Sequence, residues 1–479
     1  MHEETNEKLG MAIPTLPLGR SHAIVCANAL TTDWNEVLPA AQCSCVMGNP
    51  PYAGAVTTSA EQKQWLREVY PPRYSLGRVD FCSAWFVKAA DYMAGNEHIR
   101  AAFVATNSIC QGQQVATLWG LLLGRGIHLH FAWPSFAWRT EAAGGATVTV
   151  IIVGFGRQPP AHGARLYRLQ GGQVAVQEGP ALTPYLTLGK SAGVIVRSHS
   201  RALSAPLPIA LGNMPIDGGN LILEYDEGET WLSRNPEIKP FLKRYVGGAE
   251  LMGSYYRYCL WLKDEDREQW ERIPEIMRRV EACRDSREQS VREATRKGAE
   301  TPWRFQFISA RGEALVVPNL ASERRLYMPT AFVDERYVVA APSFMIPDAD
   351  ECHFAVLSSR MHQCWIRLTA GRLESRYRYS VDLVYNTFIW PEIDEAQHKE
   401  LWELGNAVLM RRERYYQQEL GKLYNDLPAD LWKLHQAIDE YVERLYRPET
   451  FGDDEERTAW LLDLYAQAVA EEDKGKGKR

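Results

Sequence analysis

Asn49-Pro50-Pro51-Tyr52 stands directly after the short apolar run Cys45–Met47 and one glycine. An amino group conjugated to an aromatic ring, such as N6 of adenine, is a poor nucleophile because its lone pair is delocalised into the ring. Two acceptors, the Asn49 side-chain oxygen and the Pro50 carbonyl, can take both of its N–H hydrogens and favour a more tetrahedral nitrogen. The prolines remove competing backbone donors and stiffen the loop. Tyr52 can stack on the face of a flipped-out base, a contact worth about 1–3 kcal/mol. The same four residues also read as a plain turn closing a strand. Their acceptor geometry suits cytosine N4 as well as adenine N6.

A second constellation lies far downstream. Arg360, Arg367, Arg372, Arg376 and Arg378 fall within one stretch, interleaved with His362, Trp365, Tyr377 and Tyr379. Arginine forks match phosphates and guanine edges, and Glu374 can accept from cytosine N4, so this stretch is a candidate DNA-reading surface. Ser322-Glu323-Arg324-Arg325 is a smaller candidate of the same kind, with a structural ion pair as its alternative. The run 274–300 mixes six arginines with acids at three- and four-residue spacing, which predicts a solvated connector helix. The nine cysteines are scattered: Cys43 and Cys45 are too close for a zinc knuckle and no second pair completes one. We therefore expect no metal site and reduced thiols.

The elements that must position the first motif are α/β. "HAIVCANAL", "CSCVMGNPP", "IRAAFVATNSI", "IHLHFAW" and "ATVTVIIVGFG" are apolar runs separated by helical stretches such as "DFCSAWFVKAADYMAG" and "QVATLWGLLLGRG". This alternation predicts a mostly parallel sheet with helices on both faces and chemistry at the carboxyl ends of the strands. A Pro/Gly-rich passage after residue 157 marks a domain boundary near 158–205. Beyond Pro391 the chain is helical, with Trp402, Leu409, Trp432 and Leu434 among its apolar positions. The N-terminus has no signal-peptide pattern and no stretch of about eighteen apolar residues occurs, so a cytoplasmic protein without a membrane span is expected. A net charge of −6 over 479 residues does not itself advertise a nucleic-acid binder.

In order along the chain, "GNPPYAG", "DFCSAWFVKAADYM", "FVATNSICQGQQVATLW", "FAWPSFAW", "YRYCLWL", "SERRLYMP" and "GRLESRYRYSVDLVYNTFIWP" resemble the MmeI-like DNA adenine-N6 methyltransferases, single-chain type II restriction–modification enzymes. The resemblance implies a partial Rossmann-like methyltransferase domain over 1–165, an α+β target recognition domain over 200–391 and a C-terminal helical domain over 392–479. It implies S-adenosylmethionine as cofactor and double-stranded DNA as partner. Asn49, Pro50, Pro51 and Tyr52 would be the catalytic motif, and Asn28, Ala29 and Leu30 would touch the cofactor's adenine. Such enzymes carry a glycine turn after a first strand and a metal-binding nuclease upstream; neither is found before Asn49. The expectation is a truncated methyltransferase component needing an upstream polypeptide. The alternative is a DNA-binding specificity module without catalysis.

Overall fold

The computed structural model describes residues 24–54, 57–138, 148–189, 193–204, 206–309, 312–373 and 375–476. The chain divides into two compact units, one formed by 1–109 with 117–182 and the other by 110–116 with 183–479.

The first unit is built on a six-stranded sheet. Its strands in chain order are β1 (Cys45–Gly48), β2 (Arg100–Thr106), β3 (His128–Trp138), β4 (Val148–Gly156), β5 (Ala164–Gln170) and β6 (Gln173–Gly179). They lie side by side in the order β1-β2-β4-β3-β5-β6. β1 and β2 are parallel, Cys45 opposite Arg100 and Gly48 opposite Phe103. β4 runs antiparallel to both β2 and β3. The sheet is therefore mixed, where mostly parallel strands were expected: β3 and β4 are consecutive antiparallel neighbours, with no helical crossover to bring the chain back in parallel.

Helices α1 (Trp34–Val37), α2 (Ala60–Val69), α3 (Ser83–Tyr92) and α4 (Gln113–Gly124) accompany the sheet. Ser59 and Gln62 form a capping box at the start of α2, which satisfies two of its orphan donors. α3 buries Phe86 against Phe103 of β2, Phe155 of β4 and Trp119 of α4, with ring centroids 5.1, 5.3 and 6.0 Å apart. "HAIVCANAL" is not a strand over its described residues. Ile24 is 85% exposed, and Asn28 gathers the N–H groups of Leu30, Thr31 and Thr32 and the Thr32 hydroxyl. A turn that satisfies so many donors locally competes with a ladder.

The second unit holds two four-stranded sheets. One contains Ile222–Leu223, Leu242–Val246, Arg257–Leu260 and Tyr337–Val339; the other Ala210–Leu211, Ala314–Val317, Ala331–Val333 and Phe344–Pro347. The first packs on a core that includes Trp270, Ile276, Val280 and Cys283. The last three of these lie on α5 (Pro274–Glu288), which begins with Pro at its first turn. Two further helices, α6 (Glu351–Leu357) and α7 (Arg360–Thr369), lead into a hairpin of β7 (Gly371–Leu373) and β8 (Arg376–Arg378).

Three long helices complete the unit: α8 (Glu395–Arg412), α9 (Ala429–Tyr446) and α10 (Asp454–Lys476). Their buried stripe is Leu401, Gly405 and Val408 on α8 and Leu431, His435, Ile438 and Val442 on α9, while Trp402 and Trp432 are exposed. A Cβ on Gly405 would lie 2.3 Å from the Glu351 carbonyl oxygen, so the glycine sets the approach of α8 to α6.

Asp439 on α9 is half-buried, its carboxylate turned inward to accept from the Tyr327 hydroxyl at 2.5 Å and the Arg360 backbone N–H at 2.6 Å. Burial pushes its carboxyl up to about 7, against an ordinary value near 4. The folded chain thus keeps a proton that the unfolded chain has already lost between about pH 4 and 7, and this group's contribution to stability falls as pH rises through that window. Asp439→Asn is expected to flatten the melting temperature between pH 5 and 8 and to raise it at pH 8. An unchanged pH profile would refute the assignment.

Candidate active site and nucleic-acid interface

The Asn49–Tyr52 loop leaves the carboxyl end of β1, where the strand pattern puts reactive groups. Asn49 and Pro51 are exposed, Pro50 is buried and Tyr52 half-buried. The Tyr52 hydroxyl donates to Asn49 Oδ1, so the oxygen assigned to a substrate amine is occupied by an internal donor in this state. The prolines cannot donate, which leaves the Pro50 carbonyl beside it as a second acceptor. Partial burial raises the Tyr52 phenol above its ordinary range, helped by Cys82 and Asp80. The ring is therefore neutral and suited to stacking.

Sequence reasoning passed over the residue that anchors this loop. Asp80 is 5% exposed. Its Oδ2 accepts from Thr106 Oγ1 at 2.7 Å and Ser108 Oγ at 3.1 Å, and its Oδ1 from the Cys82 N–H at 3.2 Å. The next residue, Phe81, donates its N–H to the Ala53 carbonyl at 3.0 Å. The end of β2, the start of α3 and the loop after Tyr52 are thereby tied at one carboxylate. The signal available in the sequence was an Asp-Phe pair at a helix start, close to a strand ending in Thr and Ser.

Asn28, Ala29 and Leu30 form a turn docked on α3. Lys88 Nζ donates to the Leu30 carbonyl at 2.5 Å and the Thr32 carbonyl at 2.6 Å, and Trp34 Nε1 to the Ala29 carbonyl at 2.8 Å. Leu30 is 5% exposed, so its side chain belongs to the core and cannot reach a ligand. Asn28 and Ala29 alone of the three stay accessible.

The downstream arginines separate into two groups. Arg360 makes a two-pronged pair with Asp454 of α10, Nε–Oδ1 2.7 Å and Nη2–Oδ2 2.5 Å, and Arg367 adds a contact to the same carboxylate at 3.2 Å. Tyr379 is 2% exposed and donates to His362 Nε2 at 3.1 Å. These three were expected to read DNA; the structure pairs them within the second unit, where they fix α7 to α10 and to the residue just after β8. Arg372, Arg376 and Arg378 lie on the β7–β8 hairpin. Arg372 stacks over Tyr377 at 4.3 Å and donates to the Ser375 carbonyl at 2.9 Å, and Arg378 is exposed. Glu374 lies outside the described residues.

Of the second candidate, Arg325 is structural, donating to Asn425 Oδ1 at 3.0 Å and the Gly421 carbonyl at 3.2 Å. Glu323 faces the hairpin: its own backbone N–H, the Ser375 hydroxyl, Arg324 and Arg372 hold its carboxyl below the usual range. The six arginines of 274–300 are not simply a solvated face either. Arg279 reaches the carbonyls of Asn220 and Ile222 and pairs with Glu227, and Arg287 is buried. Arg360→Ala is expected to lower the melting temperature by several degrees, since it leaves Asp454 short of its main partner, whereas Arg378→Ala should leave it unchanged. Thermal melts of the two variants decide this.

A mixed sheet with an Asn-Pro-Pro-Tyr loop at the end of its edge strand, continued by an α+β domain and a helical one, defines a methyltransferase-like chain with an appended recognition module. Residues 1–168 match the family described as the MmeI DNA-methyltransferase domain, 190–392 the MmeI target recognition domain and 393–471 the MmeI C-terminal domain. The chain thus carries the methyltransferase, target recognition and C-terminal domains of the MmeI family. "DNA methyltransferase A" of Bacillus subtilis (strain 168) is 36% identical over 473 residues, which are 98% of this chain and 53% of that protein. The solved structure of the Type IIL restriction-modification enzyme MmeI in complex with DNA aligns with a TM-score of 0.85 at 35% identity, over 98% of this chain and 63% of that one. The chain therefore spans about half the length of the curated relative it matches.

Proposed function

We propose that the chain is the target-recognising and base-holding part of a site-specific DNA adenine-N6 methyltransferase, working in the cytoplasm within a restriction–modification system. The observation that carries the reading is the placement of an exposed Asn49 amide beside a buried, rigid Pro50 at the carboxyl end of β1. An adenine flipped from duplex DNA would displace the Tyr52 hydroxyl from Asn49 Oδ1, give its two N6 hydrogens to Asn49 and the Pro50 carbonyl, and lie against the Tyr52 ring. Arg372, Arg376, Arg378 and Glu374 would supply the base and phosphate contacts that choose the site.

S-adenosylmethionine, when bound, supplies the electrophilic methyl group. The described residues fit the acceptor side of that reaction better than the donor side. The turn at Asn28–Leu30 spends most of its polar groups on itself and on Lys88. β1 pairs only with β2 among the described strands, and Met47 on it is 81% exposed. We place the rest of the cofactor pocket on polypeptide outside the described residues, lying along the open edge of β1.

Calorimetric titration tests this part directly: the isolated chain is expected to show no measurable heat with S-adenosylmethionine, and micromolar affinity would refute it. Gel shifts and methylation assays with and without the upstream polypeptide test the rest. Transfer to duplex DNA only in its presence supports the enzyme reading, and DNA binding with no transfer in either case leaves a specificity module.

A further inference from the structure

The first unit contains a second site on the surface beyond the Asn49–Tyr52 loop. A cavity of about 460 Å³ opens between α2 and the segment 70–79, lined by Thr58, Lys63, Arg67, Tyr74, Leu76 and Gly77 among others. Its floor is rigid. Tyr70 is 2% exposed and its hydroxyl donates to Ser83 Oγ at 2.8 Å, and Leu66 and Val79 are each 1% exposed. Its rim is charged. Lys63 and Arg67 stand four residues apart on α2, hence on one face, and neither has an ion-pair partner among the described residues. On the other side, Arg73 lies over the Tyr74 ring at 5.3 Å.

An apolar cavity with aromatic and proline walls under two unpaired cations selects an anion attached to a flat or apolar body. The cationic rim argues against the methyl donor, whose sulfonium and ammonium against one carboxylate give it a net positive charge. A nucleotide fits: the phosphate meets the cations, while the sugar and base cover Pro72, Tyr74 and Leu76. The cavity is joined to the catalytic loop through Thr58, whose hydroxyl donates to the Gly54 carbonyl at 2.9 Å and reaches the Ala53 carbonyl at 3.3 Å. We infer that this cavity receives a nucleotide of the substrate strand flanking the flipped base, its phosphate held by Lys63 and Arg67. The site would then grip the strand while Asn49 and Tyr52 hold the target. This rests on the reading of the chain as a DNA-modifying protein.

Two variants of the full chain test it. Lys63→Glu/Arg67→Glu reverses the rim. Gly77→Phe adds bulk to the cavity lining without changing a charge, and a Cβ at Gly77 meets nothing within 4 Å. For a duplex carrying the recognition site, the charge reversal is expected to weaken binding roughly tenfold at physiological salt and to make the salt dependence shallower by about 1, near 0.9 for the one phosphate contact. Gly77→Phe should weaken binding severalfold and shift the salt slope in the same direction. Melting temperatures within about 2 °C of wild type would show both folded. Binding and salt slope unchanged in Gly77→Phe overturn the cavity assignment even if the charge reversal weakens binding, because a general field effect does not need the cavity. If both variants behave as expected but the protein completed with the upstream polypeptide never methylates DNA, the enzyme reading falls and the phosphate site stands.

Discussion

In a preparation that methylates duplex DNA, Asn49→Ala is expected to lose methyl transfer by roughly 10²–10³-fold while its dissociation constant for duplex DNA stays within about threefold. The size follows from the role. An acceptor aimed at a group whose charge changes in the transition state acts at that stage more than in the ground state, and removing one preorganised partner of this kind typically costs about that factor. The wild-type geometry adds a sharper form of the test. Because the Tyr52 hydroxyl donates to Asn49 Oδ1 in the free protein, it competes with the substrate amine for that oxygen. Tyr52→Phe removes the competitor and keeps the ring, so it should hold methyl transfer within about tenfold of wild type. Tyr52→Ala removes the stacking surface and should cost about 1–3 kcal/mol of target-base binding. Full activity in Asn49→Ala would reject the role given to this loop, and equal losses in Tyr52→Phe and Tyr52→Ala would reject stacking as what the ring does.

The Asn49–Tyr52 loop was legible as a unit because its parts are contiguous: four residues carry two acceptors, a rigid link and a ring, and the preceding apolar run announces the strand. What anchors it was not. Asp80 meets Thr106 and Ser108 only because β2 runs parallel to β1 and ends beside the start of α3, a relation that depends on strand order. The arginine stretch 360–378 meets the same limit in reverse. Arg360, Arg367 and Arg378 look alike in the sequence, yet the first two face Asp454, some ninety residues on. Nothing local distinguishes an arginine with a distant carboxylate from one without. "HAIVCANAL" misled differently: its apolar residues suit a strand, but Asn28 closes a turn that satisfies the neighbouring donors first.

Arg287→Ala is expected to unfold the recognition domain or lower its melting temperature by ten degrees or more, the largest stability effect of any single substitution proposed for this chain. The residue is 1% exposed, and among the described residues no carboxylate is hydrogen-bonded to its guanidinium, Asp217 acting on it only from a distance. All five of its hydrogen bonds go to backbone carbonyls: Nε to Ile216 at 2.8 Å, Nη1 to Gly298 at 2.8 Å and Thr301 at 3.0 Å, and Nη2 to Pro215 and Arg304, both at 2.8 Å. Burial lowers its pKa from the ordinary arginine value, the cost of holding a charge among dipoles. The side chain continues the buried stripe Ile276, Val280 and Cys283 of α5, a position where helical periodicity calls for an apolar residue, and that mismatch was the readable sign that it serves the interior. Deleting it removes one donor from each of five carbonyls in segments 215–216 and 298–304; Pro215, Gly298 and Thr301 each keep a backbone donor, whereas Ile216 and Arg304 lose the one described for them. At about 1–3 kcal/mol for each of the two acceptors left dry and about 1 kcal/mol for each of the other hydrogen bonds lost, the loss is roughly 5 kcal/mol, comparable with the whole stability of an ordinary domain. Arg287→Met separates the causes. It keeps the length and apolar stem but no donor, so it should be nearly as damaging as alanine, while Arg287→Lys, with three donors and no fork, should recover only part. A methionine variant that melts within about 2 °C of wild type would show that packing, not the five hydrogen bonds, holds these segments together.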